Sequence, residues 1–87
     1  MYYYSTVNDI TMSHSAVFEK DGFDNIDVHF ERATENGFDF LDLCLPGEIV
    51  KKAFGFSEDE IFKLKRYAKN NSALIWEFAK NGGGENA

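Results

Sequence analysis

Between Ser13 and Leu45 apolar and polar side chains alternate with period two, and the alternation is interrupted at Lys20-Asp21-Gly22-Phe23-Asp24 and at Ala33-Thr34-Glu35-Asn36-Gly37. Period two marks a strand with one buried face, and clusters of Gly, Asp and Asn between strands supply turn conformations. The pattern predicts an antiparallel meander with strands near 11–19, 25–32 and 38–45. Turning the chain at Gly22 sets Phe18 opposite Ile26, Ala16 opposite Val28 and His14 opposite Phe30. Setting Phe30, Val28 and Ile26 against Leu41, Leu43 and Leu45 extends the same apolar face, since alternate residues of a strand share a side. A slip of one residue would expose all three leucines. Phe38 and Phe40 then fall on the other side or at a bulge. Tyr2, Tyr3 and Tyr4, with Val7 and Ile10, suit an edge strand or a segment lying across the core.

Beyond Pro46-Gly47 the spacing turns helical. Residues Glu48 to Phe54, closed by Gly55, are read as a short helix with Ile49, Val50, Ala53 and Phe54 inward. Ser57-Glu58-Asp59-Glu60 is a capping box, and its three acids suit the positive end of a helix dipole. Ile61, Leu64, Ala68, Ile75 and Phe78 follow at helical spacings, with Asn81-Gly82 as the stop. These predict a long helix over 58–80, either continuous or broken at Asn70-Asn71-Ser72, three weak helix formers in succession. The expected architecture is α+β: an antiparallel three- to four-stranded meander covered on one face by a long C-terminal helix. Residues 1–81 make one domain, and the glycine-rich 82–87 is expected to be a disordered tail.

Composition sharpens this picture. A chain of 87 residues buries about 60–65% of its unfolded surface, so large side chains must form the core, and nine Phe, four Tyr and one Trp are available. The longest apolar runs are about four residues against the ~20 of a membrane helix, so no membrane crossing is expected. One cysteine and an N-terminus without the marks of a secretory signal point to the cytoplasm. Charge is divided: residues 1–48 hold ten acids and two bases, residues 49–87 five acids and seven bases, within a net charge of −6. An acidic sheet argues against general nucleic-acid binding, which draws on Lys and Arg. Lys63, Lys65, Arg66 and Lys69, with Tyr67 among them, form a weak basic stripe, read as a solvated helix face or a phosphate or partner site.

On this register the second sheet face carries Ser13, Ser15 and Val17, then Asp27, His29 and Glu31, then Asp42 and Cys44. His29 stands opposite Asp42, flanked by Asp27 and Glu31. Carboxylates raise a histidine's basicity and fix its ring, which suits a general base or a metal ligand, and equally an ordinary cross-strand ion pair. His14 reads as a core histidine. Cys44, in acidic and apolar surroundings, reads as an inert thiol. Asp39 and Asp42 point to opposite faces and make no carboxylate dyad. No phosphate loop, zinc spacing, nucleophile elbow or calcium loop is present, and no cofactor is implied. Trp76 lies beside the helix's main apolar stripe, and Phe62 with it, which suggests a second contact surface. The sequence therefore favours a protein-binding or regulatory module with a partner or self-association. A small enzyme or metal-binding protein using His29, Asp27, Glu31 and Asp42 is the alternative.

Overall fold

The computed structural model describes residues Met1–Asn81, so the expected tail at 82–87 lies outside the described residues. The order of elements is β1 (Tyr2–Val7), β2 (Ile10–His14), β3 (Phe18–Lys20), β4 (Phe23–Thr34), β5 (Gly37–Leu45), β6 (Ile49–Phe54), α1 (Glu58–Asn70) and α2 (Ser72–Lys80). All pairings are antiparallel, in the order β1-β2-β4-β5-β6, with β3 continuing beside β4 where β2 leaves off. The α+β class holds, but the expected meander of three or four strands under one long helix does not. The sheet has six strands, and the C-terminal segment is two short helices.

The β4–β5 register is the expected one, with Phe30 opposite Leu41, Val28 opposite Leu43 and Ile26 opposite Leu45. All six are fully or almost fully buried, and each such side chain contributes about 1.5–3 kcal/mol through the water it sheds. The first hairpin differs. His14 stands opposite Val28 and Met12 opposite Phe30, while Phe18 pairs with Asn25, so β2 and β3 advance four residues where β4 advances three. The extra residue is accommodated at Ser15, whose backbone N–H donates to Asp27 O at 2.9 Å while its hydroxyl accepts from the Asp27 N–H at 2.9 Å. A hydroxyl thus replaces a ladder carbonyl, and the kink turns Val17 toward the core instead of the polar face.

Residues 48–54 are not helical. Pro46, Gly47 and Glu48 make a tight return, with φ of 89° at Gly47 and 46° at Glu48, and Ile49–Phe54 pairs with β5 as an edge strand. Six residues are too few to repay helix nucleation, whereas β5 offers them a row of unpaired backbone groups. Between Asp42 opposite Lys52 and Leu43 opposite Val50, Lys51 is an extra residue, which makes a bulge in β6.

The expected helix over 58–80 divides at Asn71. The capping box is formed as read: the Ser57 hydroxyl accepts from the Glu60 N–H, and Glu60 accepts from the Ser57 N–H. Asn71 then serves both helices, its Nδ2 donating to Tyr67 O at 2.8 Å and its Oδ1 accepting from the Tyr4 hydroxyl of β1 at 2.8 Å. Asn71 occupies the N-cap position of α2 without a side-chain hydrogen bond to its first turn. The helix pair reaches the core through Ala68, Ile75 and Ala79, with Ile61, Leu64, Tyr67 and Trp76 packed around them. Among the described residues no helix is long and apolar enough to cross a membrane.

Candidate functional site

With one sheet face sealed, the other is where chemistry-bearing side chains collect. Asp27, His29 and Glu31 alternate outward on β4, Phe38, Phe40, Asp42 and Cys44 on β5, and Lys52 and Phe54 on β6. His29 sits opposite Asp42 as expected, with Nδ1 donating to Asp42 Oδ1 at 2.5 Å and Nε2 to Glu31 Oε1 at 3.1 Å. Both acceptors are carboxylates, so holding both bonds at once requires the imidazolium. Partial burial, the largest influence, lowers the pKa of His29, but hydrogen bonds and charge from Asp42 and Glu31 together outweigh it and leave the pKa above its ordinary value.

Asp27 does not join this group. It accepts from Lys51 Nζ of the β6 bulge at 3.0 Å, and that bond, ahead of the carboxylate's charge, raises the lysine's pKa. While the ring is protonated and donating from both nitrogens, His29 offers no lone pair to a metal. Among the described residues no three His, Cys, Asp or Glu side chains are placed to hold a metal ion.

Beside His29 runs an aromatic row. The ring of Phe40 lies 6.5 Å from that of His29 and 6.1 Å from that of Phe54, at 19° and 22° between planes. Phe54 is 64% exposed, Phe38 on the same face 55%, and Ile49, opposite Cys44, 62%. Around Ile49 the face hollows into an open concavity of about 720 Å³ that includes Phe23, Asn25, Cys44 and Lys51. Cys44 donates its thiol hydrogen to Asn25 Oδ1 at 3.4 Å. The histidine of the sheet face is not among the residues lining this hollow.

The other expected contact residues lie elsewhere. Trp76 is half-buried against the core. Phe62 is 60% exposed on α1, with the Arg66 guanidinium 5.1 Å from its ring centre. The basic stripe is divided: Lys65, Arg66 and Lys69 share a hollow with Phe62, while Lys63 lines a groove of about 360 Å³ between α1, β1 and β2. His14 is fully buried beside Tyr2 and Tyr4, its Nδ1 donating to Ser15 O at 2.8 Å.

Sequence reading missed Arg32. Its guanidinium donates to Asp39 Oδ2 through Nε at 3.0 Å and Nη2 at 2.7 Å, and to Glu60 Oε2 through Nη1 at 2.7 Å, while stacking 4.5 Å from the Phe56 ring centre. This clamp ties the sheet to the first turn of α1. The Arg32 bond, ahead of the Ser57 backbone bond, lowers the Glu60 pKa to about 2. Gly55 allows the approach: its φ is 85°, and a Cβ there would overlap the Asp39 carboxylate. A signal existed, because Arg32 falls in phase with Phe30 on the apolar side of β4 and is one of only two bases in residues 1–48.

In comparisons with known proteins the chain matches no described family, no curated protein and no solved structure.

Proposed function

We propose that this protein is a binding module that works through the open face of its sheet, and that the partner is a protein chain, most directly a second copy of itself. The observation that carries the reading is the exposed aromatic pair Phe38 and Phe54 beside Phe40 on that face, with Ile49 exposed further along β6 beyond the Asp42–Lys52 pair. Small soluble domains rarely leave several large apolar side chains contiguous and uncovered unless another surface covers them. Charge favours a like partner. The molecule is acidic as a whole, but this face pairs Asp27 with Lys51 and Asp42 and Glu31 with His29, with Lys52 beside them, so it opposes a second copy less than the net charge of −6 would. Catalysis by the same face has less support, since His29, Asp27 and Cys44 each spend their reactive atoms on a neighbour.

Sedimentation over a range of protein concentrations tests this. The expected result is a concentration-dependent dimer, abolished in Phe38→Ser/Phe54→Ser with the circular dichroism of the fold unchanged. A monomer throughout the micromolar range, or a dimer indifferent to both substitutions, would overturn it.

A further inference from the structure

The outer side of α1 carries a second surface, separate from the sheet face. Phe62, Lys65, Arg66, Lys69 and Asn70 lie along one side of the helix and, with Glu48 of the β5–β6 turn, border a hollow of about 380 Å³. In the described residues every ion pair involves His29, Arg32 or Lys51, so Lys65, Arg66 and Lys69 meet no carboxylate within salt-bridge distance. Glu58 and Asp59 stand one turn ahead of Phe62, at the helix start, so the positive charge is concentrated on the later turns. Phe62 is exposed at the head of this stretch, with the Arg66 guanidinium already against its ring.

We infer that this side of α1 is a docking surface for a short acidic segment of another protein, one with an apolar residue followed by carboxylates. The apolar residue covers Phe62, and the carboxylates lie over Lys65, Arg66 and Lys69. Phe62 and Lys69 are seven residues apart, about 10 Å along the helix, which three or four extended residues span. That short reach is why a peptide fits better than a nucleic acid. A phosphate backbone would run past the stripe onto an acidic molecule, and three cations give it little counterion release.

The test uses the whole protein and a fluorescent synthetic peptide in which a leucine precedes a run of glutamates, followed by anisotropy. Binding is expected to weaken as salt is raised, and Lys65→Glu/Arg66→Glu is expected to lower affinity by about tenfold or more, since reversal replaces attraction with repulsion at two exposed sites. Lys69→Glu alone should act in the same direction, and circular dichroism establishes that each variant is folded. Equal binding of a glutamine version of the peptide, or charge reversals without effect, would overturn the inference. So would tighter binding of a single-stranded oligonucleotide or of anionic phospholipid vesicles than of the peptide. The Phe38→Ser/Phe54→Ser variant keeps this surface and should bind the peptide unchanged, so the two readings fail separately.

Discussion

His29 can keep both of its hydrogen bonds only as a cation, and its geometry therefore makes a statement about pH. A pKa held above 6.5 by Asp42 and Glu31 means that the triad's contribution to stability is fully present below pH 6.5 and is lost as the pH rises through the folded-state value. Ring-proton shifts followed by NMR should place the His29 titration above 6.5, and Asp42→Asn should bring it down. A midpoint at or below 6.5 in the unaltered protein would show that burial prevails over the carboxylates. The pairing of His29 with Asp42 was legible in the sequence because three leucines fixed which way β5 faced, and Asp42 sits between two of them. Its consequence was not legible. Only the side-chain geometry brings Glu31 to Nε2, and that second bond makes the protonated ring a donor from both nitrogens.

At the scale of elements, strand β4 with β5 is specified by its own alternation of apolar and polar residues, whereas β6 is specified by its neighbour. Ile49, Val50, Ala53 and Phe54 are spaced so that they suit one side of a helix, and their β-branched start suits a strand as well. What decides is the unpaired edge of β5, which no local pattern records. The break in the C-terminal helix is a similar case. Weak helix formers marked the place, but the tie that holds it is Tyr4, far away in sequence on β1. The join between β6 and α1 depends on Gly55, and Gly55→Ala is expected to cost more than about 1 kcal/mol, because it adds a Cβ at positive φ and displaces Asp39 from Arg32. Urea denaturation would measure this, and a midpoint equal to that of the parent chain would show that Asp39 can move aside freely.

For the molecule as a whole, the sheet layer and the helix layer are joined by an apolar core and, at one end, by the clamp of Arg32 with Asp39 and Glu60. Glu60 is depressed to about 2 from 4.5, so its share of stability is present above pH 4.5 and disappears as the pH falls toward 2. Thermal melts of Glu60→Gln and the parent chain should accordingly differ at neutral pH and converge near pH 2. A difference that persists undiminished into strong acid would show that the Glu60 carboxylate's charge does not carry the effect. The bulge in β6 has a consequence at this scale too. It sets Lys51 and Lys52 side by side on the outermost strand, where a further strand would otherwise extend the sheet. Ammonium groups and an irregular backbone are poor templates for strand addition. If two copies meet face to face, the β6 edge of each remains a poor template for a third chain, and growth of stacked ribbons along that side is blocked.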